Sequence, residues 1–322
     1  MSMHVVIRQP GGPESLQIET FTPAAPGAGE VLLRQTAIGV NFIDVYHRTG
    51  FYPLSGGVPG VEAAGVVEAV GAGVDDLSPG DRVVYGGAPV GAYGDTRLIA
   101  AERLIRLPDD IPDDVAAATF FKAMTAYMLI TRVYPVGPGT RILVHAAAGG
   151  LGLILTRWAK HLGAEVFATV GSDAKAELAR AAGADHVIAG RGSDFPAFIA
   201  DLTAGKGVDF AVDGIGGTTL ERTFTTLRKF GTVASIGQAA GPVPLIDITA
   251  LGGNRSIALT RPSVMAYAAE TDTYRAAGRA VLDAMASGIT ATIGQTYALT
   301  DAAQAHVALE GGKTTGSVLL KP

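Results

Sequence analysis

The sequence predicts an α/β protein in which a doubly wound parallel sheet interrupts a second, mainly β domain. Three observations carry this expectation. From Arg141 onward, six apolar and largely β-branched runs (RILVHA, EVFATV, DHVIA, VDFAVD, TVASIG and SIALT) alternate with segments of helical spacing such as Leu151–Leu162 and Ala174–Ala182. Strands buried on both faces and joined by crossover helices are the sequence form of a parallel sheet. Ahead of them, HVVIRQ, EVLLRQTAIGV, AGVVEAVG, DRVVY and TRLIAA are short strands broken by Gly and Pro turns, the pattern of an irregular barrel. The chain closes on one more strand-like run, GSVLLKP, so its end returns to the first domain. The expected division is 1–118 with 258–322 for the mainly β domain and 119–257 for the parallel-sheet domain.

Between the two patterns lies VAAATFFKAMTAYMLI, Val115 to Ile130, the best candidate for a membrane segment. It is short of a span and carries Lys122 near its centre, so it is expected to be a helix packed between domains. After the sheet, Met265 to Ser287 reads as one long helix. The N-terminus MSMHVVIRQPGG shows no charged region followed by a long apolar one, and a cytoplasmic location is the default expectation.

The 322 residues are 48% hydrophobic, enough for one large or two ordinary cores, and contain no cysteine. That removes disulfides, thiolate zinc sites, iron–sulfur clusters and cysteine nucleophiles. A net charge of −5 with scattered Lys and Arg leaves no basic footprint for nucleic acid. The six histidines, His4, His47, His145, His161, His186 and His306, are dispersed, with no pair at metal-binding helical spacing.

The stretch VHAAAGGLGL, residues 144 to 153, places small residues at Ala147, Gly149 and Gly152 between a strand and a helix. In a dinucleotide fingerprint the first makes the tight turn, the second admits the pyrophosphate and the third lets helix pack on strand. Ala147 departs from the usual glycine. At the end of the second strand, where an NAD site usually carries an acidic residue for the ribose, the chain reads TVGSDAK. Gly171 and Ser172 occupy that place, and Lys175, one turn into the next helix, is a cation in reach of a 2′-phosphate. NADPH is therefore favoured, with Asp173 as the contrary feature.

These residues, with NFIDVYHRTGFYP at 41 to 53, PGVEAAGVVEAVG at 59 to 71, GADHVI at 183 to 188 and TRPSVMAY at 260 to 267, make the chain resemble the zinc-independent quinone oxidoreductases of the medium-chain dehydrogenase/reductase superfamily over essentially its whole length. The resemblance implies a GroES-like catalytic domain around a Rossmann domain, NADPH in the cleft, and a homodimer. It assigns Asn41, Tyr46 and Tyr52 to the nicotinamide end of the site, with Thr125 nearby. Gly149, Gly150 and Leu151 would meet the pyrophosphate, Gly171, Ser172 and Lys175 the adenosine phosphate, and Gly237, Gln238 and Lys313 the far side of the cofactor. A tyrosine common after the third strand is replaced by Gly190, followed by Arg191; either Arg191 takes over that contact or the NADPH preference weakens.

Zinc-dependent relatives use a Cys and a His where this chain carries Asn41 and Val61, beside a retained Glu62, so no catalytic metal is expected. Without a metal to hold an alkoxide, reduction of an electron-poor acceptor is the easier chemistry. Hydride addition to a quinone, or to the β-carbon of an enone, needs hydrogen-bond donors for the developing oxyanion and a solvent proton. Tyr46, Tyr52 and the Asn41 amide are the candidate donors. The expected function is metal-free reduction of quinones by NADPH; the alternatives are an enone or alkenal double-bond reductase and a non-catalytic NADPH-binding sensor or structural protein.

Overall fold

In the computed structural model, which describes residues 1–322, the chain starts as an antiparallel hairpin, β1 (Ser2–Ile7) and β2 (Leu16–Phe21), joined across the turn that contains Pro10, Gly11 and Gly12. There follow β3 (Glu30–Val40), helix α1 (Phe42–Thr49), β4 (Glu62–Val70), β5 (Arg82–Gly86), β6 (Thr96–Ala100), β7 (Ile105–Arg106) and helix α2 (Asp113–Met128). The alternating section is β8 (Arg141–Val144), α3 (Gly150–His161), β9 (Glu165–Val170), α4 (Asp173–Ala181), β10 (His186–Ala189), α5 (Phe195–Leu202), β11 (Val208–Asp213), α6 (Gly217–Thr226), β12 (Leu227–Ser235) and β13 (Ala258–Thr260). The chain ends with α7 (Val264–Tyr267), α8 (Thr271–Ala286), β14 (Ile293–Ala298), α9 (Ala302–Glu310) and β15 (Ser317–Lys321). It divides into two units, Met1–Met124 with Val264–Pro322, and Thr125–Ser263. The boundaries fall after Met124, inside α2, and after Ser263, where the sequence pattern puts them after 118 and 257.

Within the first unit a seven-stranded sheet runs β14–β15–β3–β4–β5–β7, with β6 also paired to β3. Every pair is antiparallel except β14 with β15. Strand β3 carries two register shifts against β4, at Leu32/Leu33 and Gln35/Ala37, and such bulges bend a strand. Its bend lets one strand serve β4, β6 and β15. Val31, Leu33, Ile38, Tyr85, Ile99 and Leu320 are among the side chains that fill the core on this sheet.

The second unit is the expected Rossmann sheet. Its six strands are all parallel and lie in the order β10–β9–β8–β11–β12–β13, the two-halved arrangement that reverses direction beside β8. Leu143, Phe167, Ala211 and Val233 are fully buried between the sheet faces and the helices, which is why these runs read as continuously apolar. Ligands of such sheets lie beyond the carboxyl ends of the strands, at the reversal. No helix is long and apolar enough to cross a membrane.

One element differs from expectation. Met265–Ser287 is two helices, because Glu270 adopts an extended backbone (φ −75°, ψ 127°) and restarts the chain as α8. The run Glu270–Thr273 suits a helix start better than a helix interior, with Asp272 in the first turn of α8, a feature that the apolar spacing alone conceals.

Candidate active site

In the first unit, α1 begins at Asn41, whose extended backbone (φ −131°, ψ 155°) makes it the N-cap. The Asn41 N–H donates to Asp44 Oδ2 at 2.8 Å, which anchors the first turn. The Asn41 side-chain amide donates to Glu62 Oε1 at 2.8 Å. Glu62 is fully buried and also accepts from the Phe121 N–H at 2.8 Å and the Lys122 ammonium at 2.5 Å. Gly39 makes this convergence possible: a Cβ there would stand 2.3 Å from Glu62 Oε1 and 2.4 Å from the Ala117 carbonyl oxygen.

One turn along α1, Tyr46 packs edge-on against Phe42, Phe51 and Tyr52, with ring centroids 5.2, 5.3 and 5.4 Å away. The structure thus brings Tyr46 and Tyr52 together as a half-buried aromatic surface, while the Asn41 amide turns inward to Glu62. An aromatic face with two hydroxyls suits a flat, electron-poor ring.

Behind α1 runs a buried polar chain absent from the sequence-level expectations. Tyr93 Oη donates to Asp44 Oδ2 at 3.1 Å and lies 3.0 Å from His306 Nε2. Arg48 donates to Glu310 through both terminal nitrogens, at 2.6 and 2.8 Å, and Arg48 Nη1 lies 3.4 Å from His306 Nδ1. Because Arg48 can only donate, His306 accepts at Nδ1 and donates from Nε2 to Tyr93. Burial pushes the Asp44 carboxyl up to about 7 and the His306 imidazole down to about 3, the latter helped by the Arg48 charge.

The second unit carries the remaining candidates except Lys313, most of them at the carboxyl ends of its strands. After β8 the chain turns through Ala146, at φ 50°, and Gly149 caps α3, with Gly150 and Leu151 opening the helix. A Cβ at Gly152 would lie 2.4 Å from Ala146 O and 2.6 Å from Ala147 Cα, so the third small residue is the one required for helix-on-strand packing. After β9, Ser172 is the N-cap of α4 and Lys175 lies in its first turn. Arg191, after β10, folds back until its Nε is 3.7 Å from where a Gly171 Cβ would be. Burial and the facing Arg191 charge together lower the Lys175 ammonium. Two cations facing one another at an open helix N-terminus fit a dianionic phosphate.

Gly237 and Gln238 follow β12, where Gly216, at φ 73°, packs against Gln238 with a Cβ-to-Cα distance that would be 2.8 Å. The Ala239 and Ala240 N–H groups donate to Gly214 O and Ile215 O, so the loops after β11 and β12 are stapled together. Thr125 is half-buried in α2, and Lys313 is exposed between α9 and β15. His145 directly follows β8 and is held between the hydroxyls of Thr169 and Thr223 at 2.7 and 2.8 Å, a structural role.

The donor set around Glu62 does not suit zinc. An ammonium and a carboxamide occupy the carboxylate, and no three His, Cys, Asp or Glu side chains converge. Lys122 is a site residue that the sequence pattern does not assign; its one signal is a charge in an otherwise apolar segment.

Residues 27–109 match the alcohol dehydrogenase GroES-like domain, and residues 150–283 match the domain described as zinc-binding dehydrogenase. The chain is 42% identical to a 2-haloacrylate reductase from Burkholderia sp, covering 100% of this chain and 99% of that one. It is 40% identical to quinone oxidoreductase 1 of Escherichia coli, with 100% of both chains covered. The crystal structure of the Escherichia coli quinone oxidoreductase complexed with NADPH superposes with a TM-score of 0.95 at 39% identity, covering 99% of this chain and 100% of that one. The motifs, the inserted parallel sheet and these full-length similarities agree, and the chain belongs to the quinone oxidoreductase family of the medium-chain dehydrogenase/reductase superfamily.

Proposed function

We propose that this protein reduces quinones with NADPH and without a metal. The observation that carries the reading is the pair Lys175 and Arg191, two cations facing one another beside Gly171 where an NAD site would present a carboxylate. Ser172, the cap of α4, adds a hydroxyl to this phosphate seat. The α3 N-terminus at Gly149, Gly150 and Leu151 suits the pyrophosphate, and Gly237 and Gln238 suit the remainder of the dinucleotide. Thr125 and Lys313 are assigned to the same cofactor by family resemblance.

Bound NADPH would supply a hydride. Asn41, Tyr46 and Tyr52 are the residues we assign to the acceptor and nicotinamide end, the tyrosines offering hydroxyl donors to an acceptor oxygen as it gains charge. In this reading the mainly β unit is the catalytic domain, the location is cytoplasmic and the protein is a homodimer. Strand β13 leaves its sheet an open edge, which supports pairing of two sheets.

A second reading, reduction of activated carbon–carbon double bonds, is favoured by the similarity to a protein named 2-haloacrylate reductase. Anaerobic oxidation of NADPH and of NADH against benzoquinone, naphthoquinone and a simple enone tests both. Fast quinone turnover preferring NADPH supports the first reading, and enone turnover with slow quinones supports the second. Tight NADPH binding with no turnover would overturn both in favour of a cofactor sensor.

A further inference from the structure

We propose that Lys122 is a catalytic residue of this site, its ammonium stabilising the oxygen of the acceptor that becomes anionic when hydride is added. The inference rests on the reductase reading above and gives that site an electrophile.

Lys122 is 8% exposed and lies in an apolar helix segment, where an ammonium is costly to bury. The structure compensates it with one full charge. Glu62, wholly buried, receives the ammonium on Oε1, the same oxygen that accepts from the Asn41 amide. The other oxygen, Oε2, is held by the Phe121 N–H, from the residue next to Lys122. The carboxylate is thereby fixed from three sides, and Gly39 gives it room.

An ammonium has three N–H bonds, and the hydrogen bond to Glu62 uses one. A purely structural ion pair here would be a poor investment, since a buried pair is often no more stabilising than apolar residues of the same volume. The ammonium shares Glu62 Oε1 with the amide of Asn41, the residue at the head of the helix that carries Tyr46. A fixed ammonium there can act on a developing oxyanion as a Lewis acid would, by charge and directed N–H bonds.

The chemistry balances without another reagent. With an enone, hydride bonds to the β-carbon, the double-bond pair shifts to the carbonyl oxygen, and the resulting enolate takes one proton from water. With a quinone, hydride and one solvent proton give the quinol. In both cases NADPH leaves as NADP⁺. Lys122 keeps its proton and lowers the energy of the anionic oxygen, so it matters most where the acceptor itself holds negative charge poorly.

The test uses the full chain, saturated with NADP⁺ or NADPH, as wild type and as Lys122→Met and Lys122→Arg. The first readout needs no turnover: 4-nitrophenol, whose anion absorbs visible light, is titrated against the NADP⁺ complex across pH. Wild type should bind the anion and lower its apparent pKa; Lys122→Met should lose that shift, and Lys122→Arg should retain part of it. The second readout is acceptor dependence. Lys122→Met should lose about 100-fold in kcat/KM on a simple enone, the low end of the range for loss of an oxyanion donor, and less, about tenfold, on benzoquinone, while the Kd for NADPH stays unchanged.

No nitrophenol shift in wild type, or an equal loss on every acceptor, overturns the proposal. Should Lys122→Met fail to fold, the double variant Glu62→Gln with Lys122→Met removes both charges and keeps an acceptor for Asn41, and the same two readouts decide. Wild type that binds NADPH and reduces no acceptor refutes the functional reading instead, so the two failures are distinct.

Discussion

Replacing Asp44 by Asn should change how stability depends on pH more than it changes stability at any one pH. Asp44 is fully buried, accepts from the Asn41 N–H and Tyr93 Oη through Oδ2, and leaves Oδ1 without a partner. Desolvation raises it from 3.8 to about 7, against the pull of those hydrogen bonds and of the Lys122 charge; Glu62 adds to the rise. A carboxyl whose folded pKa is raised binds its proton more tightly in the native state. It therefore lowers stability as pH climbs from about 4 to about 7, by up to about 4 kcal/mol at roughly 1.36 kcal/mol per unit. His306 works in the opposite direction: its imidazole falls from 6.5 to about 3, so its contribution rises over much of the same interval. In wild type the two slopes offset one another, whereas Asp44→Asn keeps only the rising one. Urea denaturation at half-unit steps from pH 4.5 to 8 should show the variant gaining on wild type by several kcal/mol across the series. A difference between the two proteins that is constant with pH would refute the buried-carboxyl reasoning.

Three further outcomes are expected. Arg191→Ala should weaken NADPH binding about tenfold to 100-fold, the worth of a charged hydrogen bond of roughly 1.5–3 kcal/mol, and leave NADH nearly unchanged; cofactor fluorescence titration measures both. Gly171→Asp should move the preference toward NADH, because its side chain starts 3.7 Å from Arg191 Nε and would both neutralise that cation and repel a 2′-phosphate; the ratio of kcat/KM for the two cofactors reports it. Gly39→Ala should destabilise by at least about 1–3 kcal/mol, since its methyl would meet the Ala117 carbonyl at 2.4 Å as well as Glu62. Thermal unfolding reads that loss, and kcat falls with it if Glu62 is displaced.

The parallel sheet was legible because each buried strand is a local apolar run and each crossover helix has its own period. Gly152 was legible for the same reason: strand, turn and helix are contiguous there. Lys175 could be found from its fixed offset beyond the second strand, whereas Arg191, after the third strand, was named through the family resemblance, and the fold brings it back over Gly171. The Glu62–Lys122 pair spans 60 positions and Arg48–Glu310 spans 262. Contacts of that range have no periodic trace, and each partner alone reads as an isolated charge in an apolar context. The break at Glu270 was hidden by flanking alanines, whose helix propensity says nothing about where a chain must turn.

The pairing of Lys122 with Glu62 also bears on how a metal-dependent enzyme of this fold could be made from this chain, or the reverse. Installing Cys at 41 and His at 61 would supply two ligands, yet the incoming dication would meet an ammonium already bound to the neighbouring carboxylate. Loss of the amide at 41 alone would strip Glu62 of one donor and strengthen its hold on Lys122. Exchange between the two chemistries therefore passes through a set of positions that must change together, because removing the helix lysine alone would leave the buried Glu62 carboxylate without its counter-charge.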